Sequence, residues 1–271
     1  MAALRLRLLA ATLAVTLAAT LAAAAQLPPE MRQIMLPKRP IGGGKTDFSA
    51  LTMNFVPTPT VPPEPALAAG QLLLRVHASS VNPCDVVLAR SLTEPRALGS
   101  DVAGVVVAVG PGCSSPIAKV GAQVWGLLNS ASDPCPMTWP ADASCLAAGA
   151  WADYAVASEN MLNAKPEPLS MTEAATLPLV GLTSYQALQL AGAPWAEGSN
   201  KTVVITSGAG GTGFVAVQLA KAFFARRVVT AAAPQQIPWV KSLGADVVVV
   251  QFFVVLFGHS LGLFIASFEV D

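Results

Sequence analysis

Charge is what this 271-residue sequence has least of. Asp, Glu, Lys and Arg make up 12% of it, and the 16 basic residues are balanced by 16 acidic ones. No basic cluster stands out, so nucleic acid and acidic membrane surfaces are poor candidates as partners. Histidine is scarce as well, with only His77 and His259. Of the four cysteines, Cys113, Cys135 and Cys145 lack the close four-thiolate spacing of a structural zinc lobe. In an oxidising compartment Cys135 and Cys145 pair as a short-loop disulfide; two unpaired thiols on an inserted loop are the alternative.

Much of the charge deficit sits in two apolar ends. In MAALRLRLLAATLAVTLAATLAAAAQ, Arg5 and Arg7 form a positive start, Leu8 to Ala22 an apolar core, and Ala23-Ala24-Ala25 small residues suited to cleavage. That is the order of a secretory signal, and a transit peptide for mitochondrion or chloroplast is the alternative, the first acid being Glu30. An uncleaved membrane anchor is the third reading. At the other end QFFVVLFGHSLGLFIASFEVD closes the chain, and Val247 to Phe268 is long and apolar enough to span a membrane. Membrane contact is therefore expected, if anywhere, through one of the termini.

A chain of this length suffices for one large or two medium domains. Its organising stretch runs from Lys201 to Ala225. Thr202 to Thr206 is a short β-branched apolar run and reads as a buried strand. Ser207-Gly208-Ala209-Gly210-Gly211-Thr212-Gly213 follows directly, and Phe214, Val217, Leu219, Ala220 and Phe223 then recur at helical spacing. Strand, turn and helix thus stand in the order that G-x-G-x-x-G requires, with Gly208, Gly210 and Gly213 as its glycines. The first is expected to permit the tight turn, the second to let backbone approach a pyrophosphate, and the third to pack helix on strand. Free N–H groups and the positive end of the helix dipole then face the phosphates. Arg227 to Ala231 reads as a second strand, Pro238 to Gly244 as a short helix, and Ala245 to Val250 as a third strand, completing β-α-β-α-β.

An Asp or Glu about 20 residues past such a motif holds the ribose 2′-hydroxyl of NAD. Here the second strand ends Thr230-Ala231-Ala232-Ala233 without an acid, which favours NADPH, with Thr230 as the strand-end residue at the cofactor.

Upstream, residues 26–66 form a Pro-rich segment, extended and partly linker, with a first strand around Met53 to Val56. Gln71 to Val81 shows alternation clearest from Leu74 to Ala78, as in a half-buried strand. Asp101 to Val109, Gln123 to Leu127 and Trp151 to Ala157 are further strands, punctuated by Gly110, Pro111, Gly112 and Gly121. Met171 to Gln189 reads as a helical passage into the nucleotide half.

Four stretches, ASSVNPCDVVLAR (Ala78–Arg90), LGSDVAGVVVAVGPG (Leu98–Gly112), KVGAQVWG (Lys119–Gly126) and LPLVGLTSYQAL (Leu177–Leu188), stand in order before GAGGTG. Jointly they resemble the medium-chain dehydrogenase/reductases, in the quinone oxidoreductase or enoyl reductase branch. The resemblance implies an α/β chain with a GroES-like β-rich catalytic domain (67–170), then a linking helix and the first half of a Rossmann-type doubly wound domain (171–250). Residues 1–25 are set apart as a signal or targeting peptide, and 251–271 as an apolar tail outside the family pattern. NADPH is implied in the cleft between the domains. It would be held by Ser207, Gly208, Ala209, Gly210, Gly211, Thr212, Gly213 and Thr230, with Asn82 near the nicotinamide and Thr183 touching the cofactor from the linking helix. Turn shaping by Asn82 before Pro83, and a hydrogen bond from Thr183 to its own helix, are their ordinary alternatives.

The zinc-dependent cousins of this family carry Cys where Asn82 stands, and His-Glu where Ser100-Asp101 stand. No metal is therefore expected. The implied chemistry is hydride transfer from NADPH to a small-molecule quinone or enone, and a homodimer is one option for assembly. No catalytic proton donor is assigned. The loop after Arg90 is Ser91-Leu92-Thr93-Glu94-Pro95-Arg96-Ala97, without the family's Tyr, and Tyr154 and Tyr185 read as packing residues.

Because the resemblance stops at the third strand, the chain reads as a truncated family member, with an aberrant terminus, a membrane helix or a rescuing strand as readings of the tail. On this reading Thr202–Thr206 has one bare edge, Phe252 to Phe257 is the segment placed to cover it, and turnover is negligible. A non-catalytic or membrane-associated product with a residual nucleotide site is the competing reading. If the start is a signal, Asn200-Lys201-Thr202 is a glycosylation sequon.

Overall fold

A computed structural model of the chain describes residues 30–36, 52–57, 67–85, 96–128, 149–250 and 265–269. The chain divides into two compact units, Met1–Pro178 and Leu179–Asp271.

The first unit is β-rich. A five-stranded antiparallel sheet has the order β7-β3-β5-β6-β8, formed by β3 (Gln71–Ala78), β5 (Asp101–Val109), β6 (Gln123–Leu127), β7 (Tyr154–Ser158) and β8 (Leu162–Ala164). A three-stranded sheet sets β1 (Glu30–Leu36) between β2 (Thr52–Pro57) and β4 (Arg96–Ala97). The first half of β3 is not the half-buried strand that alternation suggests, because Leu72, Leu73 and Leu74 are all fully buried. Leu72 and Leu74 face Val102, Val106 and Val124 on one side, while Leu73 packs with Met31 of β1 on the other. Both faces of the sheet are thus covered, and each such leucine contributes about 1.5–3 kcal/mol of burial.

Strand β1 falls inside the stretch read as extended linker. It is stitched to the residues before β7 as well: Ile34 N donates to Trp151 O at 2.8 Å, and Asp153 N to Arg32 O at 2.9 Å. Met171 to Gln189 resolves into two helices, α1 (Met171–Ala175) and α2 (Pro178–Leu190). Ser170 and Glu173 form a reciprocal capping box at the start of α1. Pro178 explains the break, since it lacks an N–H and disfavours helical backbone at Leu177.

The second unit is α/β. Strand β9 (Lys201–Ile205) runs into α3 (Gly211–Ala222), β10 (Arg227–Ala232), α4 (Ile237–Ser242) and β11 (Val247–Val250). Strands β9, β10 and β11 pair in parallel, in the order β11-β10-β9 of a doubly wound half. The core joins Val203 and Ile205 of β9 to Val228 of β10, Val217 and Ala220 of α3, and Leu188 of α2.

The second edge of β9 is not bare. Strand β12 (Ile265–Glu269) pairs with it antiparallel, from Ile265↔Ile205 to Glu269↔Lys201. This corrects the expectation of an uncovered edge; Phe252–Phe257, the segment expected to cover it, lies outside the described residues. The physical reason is that a buried strand must pair its backbone N–H and C=O groups on both sides. No helix among the described residues is long and apolar enough to cross a membrane. Residues 1–29 and the Cys135–Cys145 pair also lie outside the described residues; the described cysteines, Cys84 and Cys113, are free thiols.

Candidate functional site

In the second unit the glycine turn joins β9 to α3. Its left-handed position is Ser207, at φ 62°, and not one of the glycines. Ser207 therefore makes the tight bend, and the first glycine has a different task. A Cβ on Gly208 would lie 2.7 Å from Cγ2 of Thr230 on the neighbouring strand. At Gly213 a Cβ would lie 2.9 Å from the carbonyl carbon of Ser207 and 3.0 Å from Cα of Gly208. Those are main-chain atoms that cannot move aside, so Gly213 is the close helix–strand contact that the motif predicts.

Gly210 is the N-cap of α3, at φ −77° and ψ 165°, and no side chain caps the helix there. Its own N–H donates to Ser207 O at 2.9 Å, and its carbonyl accepts from Phe214 N at 3.0 Å. The first N–H groups of α3, on Gly211, Thr212 and Gly213, thus follow a residue with no side chain to fill the space before them.

Thr230 is placed under the turn. It is 2% exposed, and its hydroxyl donates to Ile205 O at 2.5 Å. Its side chain supports Gly208 and ties β10 to β9, and the hydroxyl is committed within the sheet. Thr183 is exposed on α2. Its neighbour Ser184 is fully buried and shares its hydroxyl proton between Val180 O at 2.7 Å and Thr212 O at 2.8 Å. Ser184 thereby fixes the first turn of α3. Sequence reading missed it, and the one signal was a small polar residue on the buried side of Leu-Thr-Ser-Tyr.

In the first unit Asn82 belongs to a buried polar cluster. Its Nδ2 donates to Ser80 Oγ at 2.9 Å and to Asp101 Oδ2 at 2.8 Å, and its main-chain N donates to Asp85 Oδ2 at 2.7 Å. Ser80 Oγ donates to Asp101 Oδ2, and Ser100 Oγ donates to Asp85 Oδ1 at 2.8 Å. Asn82, Asp85, Ser100 and Asp101 are each buried, with Asp101 at 0% exposure. Such carboxylates are tolerated inside only because donors surround them.

The neighbouring Gly99 is at φ 100°, and a Cβ there would lie 2.8 Å from Cγ of Trp151. Trp151 in turn donates from Nε1 to Ser80 O at 2.9 Å. Gly99-Ser100-Asp101 thus supplies, in order, space for an indole, a donor to Asp85 and an acceptor for Asn82. Ser80, Asp85 and Trp151 went unseen as site residues because polar groups near a turn are ordinarily solvated.

Cys84, exposed beside this cluster, has its thiol pushed up from 9.0 to about 11, first by desolvation and then by the charges of Asp85 and Asp101. Among the described residues no group of three or more His, Cys, Asp or Glu side chains is arranged to hold a metal ion. Tyr154 is buried on β7, and the hydroxyl of Tyr185 accepts from Gln189 Nε2 at 2.9 Å.

A cavity of about 470 Å³ lies in the second unit among Ser199, Asn200, Lys221, Phe224 and Arg226, at the ends of the strands opposite the glycine turn. Its charged groups serve the fold: Lys221 pairs with Asp246 at 2.7 Å, and Arg226 donates to Asn200 Oδ1 at 3.1 Å.

The alcohol dehydrogenase GroES-like domain matches residues 68–167, which hold the whole Asn82 cluster. The chain is 34% identical over 213 residues to a chloroplastic quinone-oxidoreductase homolog of Spinacia oleracea, covering 75% of this chain and 57% of that one. It is 33% identical over 192 residues to the 2-methylene-furan-3-one reductase of Solanum lycopersicum, covering 68% of this chain and 46% of that protein. Among solved structures it resembles the quinone oxidoreductase of Coxiella burnetii, with a TM-score of 0.60 and 29% identity over 81% of this chain and 62% of the other. The chain thus spans about half the length of the curated relatives it matches.

Proposed function

Because the chain belongs to the medium-chain dehydrogenase/reductase superfamily, in its quinone oxidoreductase-like branch, we propose that it binds NADPH and reduces a quinone or enone. The observation that carries this reading is the uncapped start of α3 behind a turn that excludes side chains at Gly208 and Gly213. Backbone N–H groups and the helix dipole are there to meet a pyrophosphate, without a competing cap. Ser207, Ala209, Gly210, Gly211 and Thr212 would line it. Thr230 would act from below, by holding Gly208. Asn82 and Thr183 enter the proposal as cofactor contacts on the family resemblance.

NADPH rather than NADH is supported by the end of β10, where Thr230-Ala231-Ala232 runs into Ala233 and a turn at Pro234–Gln236 without an acid for a 2′-hydroxyl. When bound, the cofactor supplies a hydride for an electron-poor carbon. The names of the relatives support that acceptor class, since a 2-methylene-furan-3-one is itself an α,β-unsaturated ketone. The chain's own residues bind and orient; with Asn82, Ser100 and Asp101 bonded within their cluster, no metal-assisted step enters the reading. For residues 1–25 the chloroplastic relative supports the organelle alternative over export.

The test is reduction of a small enone with NADPH deuterated at the transferable C4 position. It separates this proposal from the competing reading of negligible turnover: deuterium appearing at the β-carbon, with NADPH oxidised one for one, is what the proposal predicts. Oxidation without label in the product, or no oxidation, would reject the reading.

A further inference from the structure

The cluster around Asn82 decides what that side chain can offer a ligand. A primary amide has two protons, and both are engaged here, one by Ser80 Oγ at 2.9 Å and one by Asp101 Oδ2 at 2.8 Å. The orientation is dictated by chemistry. Asp101 Oδ2 also accepts from Ser80 Oγ, and a carboxyl oxygen that receives two donors calls for the donor end of the amide. The nitrogen end of Asn82 must therefore face it. The main chain is held as well, with Asn82 N on Asp85 Oδ2 at 2.7 Å and Asp85 N on Asn82 O at 3.0 Å. Asp101 in turn cannot swing away: it is fully buried, and its own carbonyl accepts from Ser79 Oγ at 2.6 Å.

We propose that Asp101 is a positioning residue that locks the Asn82 amide as a pure hydrogen-bond acceptor, presenting only Oδ1 to the ligand. The inference rests on the reading above, in which Asn82 meets the bound cofactor or its substrate. It refines that reading by selecting the ligand group. Oδ1 takes a donor, such as a hydroxyl or carboxamide N–H of a nicotinamide nucleotide. It cannot polarise the carbonyl oxygen of a quinone or enone, because no proton is left to donate. Activation of that carbonyl belongs to another group.

The lock is tested on the full chain with isotope-labelled side-chain amides and no ligand. The Asn82 NH₂ is expected to give two resolved, slowly exchanging proton signals. Both become fast-exchanging in Asp101→Asn, whereas Ser80→Ala, which removes one acceptor and leaves the carboxylate, releases one proton of the pair. Fast exchange in the unmodified chain, or protection unchanged in Asp101→Asn, would overturn the proposal. The ligand side is tested with NADPH itself. Asp101→Asn should weaken its binding about tenfold, as for one lost hydrogen bond, and should do nothing further in the Asn82→Ala background. An equal loss in both backgrounds would show that Asp101 acts on the fold and not through Asn82. Absence of saturable NADPH binding by the unmodified chain would instead reject the reading of function, and the amide protection would still decide the lock.

Discussion

The two units build their sites by opposite means. In the first, side chains hold side chains: Asn82, Asp85, Ser100 and Asp101 are buried polar groups whose geometry exists only because each satisfies another. In the second, the site is main chain, and it exists because side chains are missing at Gly208, Gly210 and Gly213. The lesson is that the two fail in different directions. The glycine turn is broken by adding atoms, the Asn82 cluster by changing which atoms donate and which accept.

The largest effect is expected where an added Cβ meets backbone. Gly213→Val should cost roughly 3 kcal/mol or more of stability in chemical denaturation, as overpacking against fixed atoms does. Gly211→Ala is its control two residues earlier, because a Cβ there lies 3.6 Å from Val180 Cγ1 in ordinary contact. It should stay within about 0.5 kcal/mol. Equal costs at the two positions would break the steric account of the turn.

Gly208→Ala comes next, at about 1–3 kcal/mol. Here the obstacle is a side chain, so a second change can relieve it. Thr230→Ala alone should cost about 1 kcal/mol for its bond to Ile205 O. Combined with Gly208→Ala it should cost less than the sum of the two. Strict additivity would show that Thr230 is not what excludes the side chain.

In the first unit the sharper probe is chemical. Cys84 is an exposed residue, yet desolvation and the neighbouring carboxylates hold its thiol near 11, so alkylation should be slow at neutral pH. Site-resolved alkylation should accelerate as pH rises toward 11, and the unfolded chain should react in the ordinary thiol range. Because the folded value lies above the ordinary 9.0, this group's contribution to stability is fully present below pH 9 and is lost as pH climbs from there to about 11. Rapid alkylation at pH 7 would contradict the desolvation of the thiol first, and with it the negative surroundings assigned to the cluster.

The smallest effect is expected at Arg32. Its guanidinium donates from Nη2 to Asp153 Oδ1 at 2.8 Å, but the two side chains are 61% and 32% exposed. The hydrogen bond to Arg32 is the main cause that lowers the Asp153 carboxyl. Arg32→Ala should nevertheless cost under about 1 kcal/mol, and less in high salt.

Much of this fold was legible. Strands β5 and β6 fall where Asp101–Val109 and Gln123–Leu127 were read, and β9, β10, α4 and β11 within a residue or two of their expected bounds. Those segments are apolar runs bounded by glycine or proline, whose local signal and tertiary role agree. Strand β1 was not legible, because Glu-Met-Arg-Gln-Ile-Met-Leu puts charge among apolar residues inside a proline-rich stretch, and its pairing with β2 is what defines it. Strand β12 was only one of three readings of an apolar tail, since nothing local tells such a tail which edge it will meet.

Of the candidate site, the turn was legible because glycine leaves a strong mark. That Ser207 takes the left-handed backbone, and that Ser184 anchors Thr212, required the third dimension. Asn82, Ser100 and Asp101 were named singly. Their joining through Ser80 and Asp85 was not readable, because a hydrogen-bond network has no period in sequence.

The central claim, that the main chain of the turn binds NADPH, is tested most directly by titrating NADPH and NADH into this chain and into Gly210→Ala. A Cβ on Gly210 would lie 3.1 Å from Ser207 Oγ and 3.3 Å from Ser207 O, contacts that a few tenths of an ångström relieve, and its φ of −77° suits alanine, so the variant is expected to fold. It would nevertheless fill the space before the first N–H groups of α3. The account predicts saturable binding by the unmodified chain, tighter for NADPH than for NADH, and a loss of at least about tenfold in Gly210→Ala, as for one lost hydrogen bond to phosphate, while its stability falls by only about 1 kcal/mol, as for a poorer N-cap. Absence of binding, tighter NADH, or an unaffected Gly210→Ala would contradict it.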